Sequence, residues 1–179
     1  MADIEAIRTT YLEDDASSVD WTSISQAYEN LALRISGKCQ RSNAGNDDIG
    51  LRFNNDSGTN YSYFRMVGSE SNETTSRNNS VNLLKVSSIT SDAGLAGSEN
   101  YATLVVDIFD YTNPYRNTSV TFMGGLTAGP LSYHDSSTRS VFGSGFWDST
   151  AAVNRITLIT NSGADWCRGS VFSLYGWND

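Results

Sequence analysis

Hydrophobic and polar residues alternate one by one through most of the apolar segments of the chain. In the first clear segment Leu31, Leu33 and Ile35 point to one side, and the residues between them point to the other. A period of two is that of a half-buried β-strand, whereas a helix would repeat apolar residues every three or four positions. The same alternation recurs later in the chain, at 49–53, 61–67, 102–108, 156–160 and 171–175. The pattern therefore predicts an all-β protein.

One of these predicted strands is apolar on both of its sides. Tyr61, Tyr63 and Val67 share one side, and Phe64 and Met66 share the other. A strand with one solvated side would carry polar residues on that side. We therefore expect this strand to be covered on both faces.

Two long stretches interrupt the alternation. Residues 68–80 are polar or glycine throughout, and residues 87–100 are rich in Ser, Gly and Ala. Both stretches predict exposed loops, because Ser, Asn and Gly favour turns over regular strands. Residues 54–59, with the sequence NNDSGT, predict a tight turn in which Asn and Gly accept positive φ angles.

About eight to ten strands at this spacing predict two antiparallel sheets packed face to face. Among such β-sandwiches we expect a jelly roll. In this prediction residues 26–179 form a single sandwich domain, and residues 1–25 form an extended N-terminal arm. The first and last strands of the domain are both strongly apolar and so can lie side by side, which would bring Cys39 near Cys167. A disulfide and two separate buried thiols both remain open, and a reducing compartment favours the thiols.

Composition and charge exclude several functions. The 179 residues include 12 Lys and Arg against 20 Asp and Glu, a net charge of −8, so the chain would repel the phosphates of nucleic acids. Asn, Ser and Thr make up about a third of the chain, which favours short strands joined by turns. No apolar run approaches the roughly 20 residues that cross a membrane. The acidic first residues lack the apolar core of a secretory signal, which predicts synthesis in a reducing cytosol.

Candidate chemistry is sparse in this sequence. The single histidine, His134, lies among serines and one Asp, but no GxSxG nucleophile motif accompanies it. The acidic residues form no alternating pair of the kind that hydrolyses glycosides. Two Asn/Asp clusters, at 46–48 and 54–56, have the oxygen ligands that Ca²⁺ prefers, although ordinary Asx turns have the same composition. We predict no catalytic residue, no metal site, no cofactor and no enzymatic activity.

Three parts of the chain carry a resemblance to a protein family. They are residues 17–37, residues 48–68 with the turn RFNNDSGTNY, and residues 146–177 with RITLIT and GSVFSLYG. Each part resembles the corresponding part of small structural proteins encoded by tailed phages. The resemblance implies a β-sandwich component of the virion, either a capsid decoration protein or a tail appendage. It brings no catalytic motif.

The favoured hypothesis is a non-enzymatic capsid decoration (cement) protein on the outer surface of a phage head. It would bind the major capsid protein as a homotrimer, stabilise the head and be made in the host cytoplasm. Neither a nucleic acid nor a membrane is expected as a partner. The candidate contact residues lie in the predicted arm and are Ile7, Tyr11, Leu12 and Trp21.

The alternative hypothesis is a tail-fibre or receptor-binding module that recognises a glycan of the host surface. Sugar rings stack on aromatic faces, with Asn, Asp and Arg as hydrogen-bonding neighbours. Trp166, in the predicted loop GADWCRG, is the candidate platform. Packing inside the protein is the competing explanation for this tryptophan.

Overall fold

The computed structural model describes residues 4–69, 72–92, 100–126 and 138–178, and the structural statements below refer to these residues. They form twelve strands. The strands are β1 (Glu5–Tyr11), β2 (Ser18–Thr22), β3 (Asn30–Cys39), β4 (Asn46–Phe53), β5 (Tyr61–Ser69), β6 (Glu73–Val81), β7 (Leu84–Ser91), β8 (Ala102–Phe109), β9 (Thr118–Leu126), β10 (Arg139–Trp147), β11 (Arg155–Thr160) and β12 (Val171–Trp177). The predicted all-β class is confirmed. No helix that could span a membrane occurs in the described ranges.

The strands form one continuous mixed sheet that branches at β3. The long branch runs β1-β12-β3-β8-β9-β10-β5-β6, and all of its pairs are antiparallel. The short branch runs β2-β11-β4-β7 and is also antiparallel. The branches meet where Lys38 and Cys39 of β3 pair in parallel with Thr90 and Ser91 of β7. The sandwich and jelly roll predicted from the sequence are not confirmed, since the described strands connect as a single branched sheet.

The extended arm predicted for residues 1–25 is not confirmed either. Within this segment β1 pairs with β12, and β2 pairs with β11. Val19 and Trp21 point inward from β2 and are buried in the core. Burial of apolar side chains of this size favours a paired strand over an arm held in water.

The first stretch predicted as a loop contains a strand, β6. Among the described strands β6 pairs with β5 alone, and it is the last strand of the long branch. Most of its side chains are exposed on both faces. An edge strand with two solvated faces needs no apolar alternation, so its sequence, ETTSRNNSV, carries no strand signal.

The second predicted loop begins inside another strand, β7. Its residues Ser87 and Ser88 are buried. Small side chains suit this position because β7 crosses the inner side of β9 and β10 at close range. A Cβ atom on Gly124 would clash with Ser87 Oγ, and one on Gly145 would lie 2.8 Å from Leu84 Cδ2. The strand is therefore internal although part of its sequence is polar.

One carboxylate holds the turn between β4 and β5. Asp56 accepts hydrogen bonds from the Trp147 indole N–H (2.7 Å), the Asn60 side-chain amide (2.9 Å) and the Gly58 backbone N–H (2.8 Å). The hydrogen bonds from Asn60 and Trp147 lower the pKa of Asp56 below its usual value. Both asparagines that begin the turn have positive φ angles, as predicted, whereas Gly58, for which the same was predicted, does not. The DSGTNY segment, which carries part of the family resemblance, is thus a structural turn in this protein.

An ion pair joins the two branches. Asp48 of β4 accepts hydrogen bonds from both terminal nitrogens of Arg65 on β5, at 2.9 and 3.1 Å, and lies 3.4 Å from Lys85 Nζ. The Ser88 hydroxyl donates a further hydrogen bond to Asp48 at 3.2 Å. Burial alone would raise the pKa of Asp48, but the hydrogen bonds and charge of Arg65, together with the charge of Lys85, outweigh burial and lower the pKa. The carboxylate is therefore ionised at neutral pH and links the short branch to the long one.

Cys39 and Cys167 lie on neighbouring backbone segments as free thiols. The predicted proximity of the first and last strands of the domain is confirmed, because β12 pairs with β3. Cys39 lies opposite Trp166, whereas the Cys167 N–H donates to the Lys38 carbonyl at 2.8 Å, so the two side chains leave the backbone on opposite faces. Burial raises the pKa of Cys39 to about 11 and the pKa of Cys167 to about 12. The favoured interpretation, two separate buried thiols, is confirmed.

Candidate functional site

The outward side of three neighbouring strands, β5, β10 and β9, carries large apolar side chains. Inward and outward positions alternate along each strand, and the antiparallel registers align the outward residues from strand to strand. Met66 lies opposite Phe142, and Phe142 lies opposite Met123. Met123 in turn lies opposite Val105 of β8. These four residues, which we call the Met–Phe row, cross four strands side by side.

The Met–Phe row is open to solvent. Met123 is 66% exposed, Phe142 is 52% exposed and Met66 is 40% exposed. Phe64 of β5 and Phe146 of β10 lie outside the row and are exposed as well. Single exposed apolar residues are common on proteins, but a contiguous group of them indicates a binding surface. The row is therefore the candidate functional site.

The covering predicted for both faces of β5 is present on one face within the described chain. Tyr61 and Tyr63 on the inner side are buried, whereas Phe64 and Met66 on the outer side are exposed. Neither outer residue was predicted as a site residue from the sequence, although the alternation that contains both of them was the available signal. An apolar face that the described part of the chain leaves uncovered points to a partner.

The outward side of β5, β9 and β10 also lacks charge. All residues of these three strands are described, and their outward positions are Ser62, Phe64, Met66, Gly68, Ser119, Thr121, Met123, Gly125, Ser140, Phe142, Ser144 and Phe146. We call this set the uncharged face. The whole chain has a net charge of −8, so this face departs from the acidic character of the protein. Charged residues flank it, namely Glu73 and Arg77 on β6 and Asp107 on β8.

Two open grooves lie on either side of the Met–Phe row. The first, of about 560 Å³, is lined by residues that include Arg34, Met123 and Gly125. The second, of about 550 Å³, includes Phe64 and Phe146 in its lining. The polar side chains of the second groove are Ser62, Arg77, Asn79, Asn117, Ser119, Thr121 and Ser144. The site is therefore a ridge with a groove on each side.

The four predicted arm contacts lie in different environments. Leu12 and Trp21 are buried in the core, and the Trp21 indole N–H donates to Thr10 Oγ1 at 3.0 Å. Ile7 is partly buried against the same core. Tyr11 alone of the four is largely exposed. Three of them therefore pack within the protein, because the segment that holds them forms paired strands, and none belongs to the Met–Phe row.

Trp166, the predicted glycan platform, is fully buried. Its ring meets the Phe172 ring edge to face, with centroids 4.8 Å apart, and its indole N–H donates to the Leu158 carbonyl at 3.3 Å. Its backbone bridges Ala16 on one side and Cys39 on the other. Because a sugar stacks on an exposed ring face, this tryptophan has a packing role in the structure and offers no platform.

The Asn/Asp clusters considered for Ca²⁺ are engaged in protein contacts. Asp47 accepts a hydrogen bond from the Ser162 hydroxyl, and Asp48 and Asp56 are paired as described above. Within the described ranges, no group of three His, Cys, Asp or Glu side chains is placed to hold a metal ion. His134 lies outside the described residues.

Comparison with known proteins adds no family. No protein-family model matches the chain, and no curated protein matches its sequence. The uncharged face and its two grooves are the observations from which a function follows.

Proposed function

We propose that the protein is a non-enzymatic structural component of a phage virion, a capsid decoration protein that binds the major capsid protein on the outside of the head. The observation that carries this proposal is the Met–Phe row on an uncharged face. Such a row gains free energy when another surface covers it, and a broad face of paired strands suits a protein surface. The virion context comes from the family resemblance of residues 48–68 and 146–177.

Covering the Met–Phe row supplies part of the free energy of binding. Transfer of a Met or Phe side chain from water to full burial is worth about 1.5 to 3 kcal/mol. Met66, Met123 and Phe142 are each roughly half exposed, so a comparable fraction of that gain is still available at each. A protein that binds only the assembled shell stabilises the shell by mass action.

A decoration protein acts at many equivalent sites, which favours a symmetric oligomer. The homotrimer expected from the sequence is one such oligomer. The acidic charge of the chain suits an outward position on the head, because packed DNA on the inside would repel it.

We also infer that the long and short branches form the two layers of a sandwich. β7 of the short branch lies against the inner side of β9 and β10, and the core includes buried residues of both branches. Two sheets that pack about 10 Å apart contact each other through their inner sides. The outer side of the long branch is then free to act as a binding face.

Addition of the purified protein to heads that lack it tests the decoration role. The wild type is expected to bind over the whole head with a fixed number of copies. Met123→Asp is expected to weaken binding at least about tenfold, because covering the row would then bury an unpaired carboxylate. Co-sedimentation with heads and electron microscopy measure the binding.

Thr22→Asp is the control for this experiment. It adds the same charge at an exposed position of β2, on the other branch. We expect it to bind heads as the wild type does. Binding of the wild type at the tail alone, or no binding to heads, contradicts the decoration role.

A receptor-binding module for a host-surface glycan is the second candidate function, and the second groove favours it. Phe64 and Phe146 offer exposed rings there, and Arg77, Asn79 and Asn117 supply hydrogen-bonding groups. Exposed rings surrounded by amides and a guanidinium group have the chemistry that holds a sugar.

Phe146→Ala is expected to reduce glycan binding at least about tenfold if this second function holds. Phe142→Ala is the matched control, because Phe142 is an exposed Phe of the same strand that does not line the second groove. An array of bacterial surface polysaccharides measures the binding. Absence of wild-type binding, or equal losses in the two variants, excludes this groove as a glycan site.

A further inference from the structure

The outer side of β5 belongs to the uncharged face. The sequence pattern predicts that this side is covered, but the described chain leaves it exposed. We infer that a second copy of this chain covers it, in a face-to-face contact whose two-fold axis runs along β10. The inference rests on the proposed function, in which this same face binds protein, and it names a second copy as the partner in the free protein, which the capsid protein replaces on the head.

The strand registers place two opposite charges symmetrically about β10. Ser144 of β10 lies opposite Phe64 of β5 on one side and opposite Thr121 of β9 on the other. Phe64 lies opposite Arg77 of β6, and Thr121 lies opposite Asp107 of β8. Arg77 and Asp107 are therefore in one row with Ser144, each two strands or about 10 Å away, on opposite sides.

A two-fold rotation about an axis along β10 exchanges the two sides of the face. It brings Arg77 of each copy opposite Asp107 of the other copy. Neither side chain forms an ion pair within the described part of the chain. The pair of copies thus gains two symmetric salt bridges, one on each side of an apolar contact, and these fix its register.

The same rotation matches the Met–Phe row with itself. Met66 and Met123 lie one strand to either side of Phe142. Met66 of one copy therefore meets Met123 of the other, and the two copies of Phe142 meet near the axis. Flexible methionines pack well against aromatic rings.

The absence of charge on the central strands favours a self-contact. Each copy carries a net charge of −8, so two copies repel one another over most orientations. Near a two-fold axis a residue meets its own symmetry mate, so a charge there would oppose its own kind. The uncharged face carries no charged residue. The two charges that flank it in the row of Ser144, those of Arg77 and Asp107, are of opposite sign.

The size of the face also suits a pair of copies. Five strands, from β6 to β8, about 4.8 Å apart and with four outward residues each, present roughly 600 Å² per copy before the relief of the side chains is added. A standard interface buries about 800 Å² per partner. Binding to a capsid protein does not require Arg77 and Asp107 to be equally far from β10. Their symmetric placement therefore favours a second copy as the partner.

Charge reversal tests the contact. The wild type is expected to sediment as a dimer at micromolar concentration. Arg77→Asp and Asp107→Arg each place like charges opposite one another at two points, and each is expected to raise the dimer dissociation constant at least about tenfold. The double variant restores opposite charges and is expected to return the constant to within about threefold of the wild type. Sedimentation equilibrium and native mass spectrometry measure it.

Arg34→Asp is the charge-matched control. Arg34 is exposed on β3, one strand beyond β8, and the rotation brings it opposite no strand of the described chain. We expect this variant to remain dimeric, with circular dichroism confirming that all variants fold. A wild type that is monomeric or trimeric overturns the inference, as does a dimer that neither single reversal weakens or that the double variant fails to restore.

Binding to heads separates failure of this inference from failure of the proposed function. If the wild type is monomeric and Met123→Asp abolishes its binding to heads, the capsid protein covers the face and only the inference of a second copy is overturned. If the wild type is a dimer governed by Arg77 and Asp107 but does not bind heads, the inference stands and the decoration role is overturned. A monomer that binds polysaccharide through the second groove overturns both.

Discussion

Replacement of Trp166 by alanine is expected to lower the free energy of unfolding by about 4 kcal/mol. The side chain is fully buried, its ring meets Phe172 at 4.8 Å between centroids, and its indole N–H donates to the Leu158 carbonyl. Alanine would leave a cavity in the core and remove the partner of that carbonyl. Urea unfolding followed by circular dichroism measures the change.

Trp177→Ala is the matched control for Trp166. Trp177 lies half-buried at the end of β12, where its ring meets Phe109 at 6.0 Å between centroids. We expect it to cost less than half as much as Trp166→Ala, because less surface is buried there. If Trp166→Ala instead unfolds like the wild type and loses glycan binding, the packing role is contradicted and the glycan platform predicted from the sequence is supported.

Asp48→Asn is expected to cost about 2 to 3 kcal/mol of unfolding free energy at neutral pH. Breaking a fully buried ion pair by removing one partner costs about 3 to 5 kcal/mol, and Asp48 is slightly exposed, so we expect a loss at or just below the lower end of that range. The change leaves Arg65 and Lys85 side by side without a counter-charge, between the two branches of the sheet. Urea unfolding of both proteins measures the difference.

The difference between the wild type and Asp48→Asn should depend on pH in one direction. Pairing lowers the pKa of Asp48 in the folded protein below its ordinary value of 3.8. The stabilisation is therefore complete well above pH 3.8, begins to fall as the pH approaches that value, and is lost once the pH passes below the lowered folded-state pKa. Unfolding curves of both proteins from about pH 7 down to about pH 2.5 measure it.

Asp20→Asn is the control, because it removes the carboxylate of an ion pair that is more exposed than the pair of Asp48. Asp20 pairs with Arg155 at 2.7 Å, and about a third of each side chain is exposed. Exposed pairs contribute about 1 kcal/mol or less, because water screens them. Equal losses for Asp20→Asn and Asp48→Asn would contradict the role of Asp48 as the link between the branches.

Strands with one wet and one dry face could be predicted from the sequence. In β8, Leu104, Val106 and Ile108 are buried, and the residues between them are more exposed, as the alternation requires. β6 and β7 could not be predicted, because hydrophobic and polar residues alternate only in a strand that has one buried and one exposed face. β6 is exposed on both faces, and β7 accommodates buried serines where glycines bring β9 and β10 close.

The candidate site was harder to predict than the fold. Trp21 and Trp166 drew attention as large aromatics in segments without clear strand signals, yet partners far along the chain bury both of them. The Met–Phe row shows the opposite case, exposed residues in strands that could be predicted. Met66 and Phe142 belong to well-predicted strands, and only the arrangement of the sheet shows that nothing in the described chain covers their side of it.

The pairing of β1 with β12 has a consequence for biosynthesis. Glu5 lies opposite Gly176, so β1, which is synthesised before the other described strands, can pair only after β12, the last of them, has been synthesised. Contacts this far apart in sequence slow folding, because loop-closure entropy is lost before any contact forms. We therefore expect the nascent chain to expose unpaired strand edges until β12 has left the ribosome, and chaperones would have to shield these edges from neighbouring chains on the same polysome during that period.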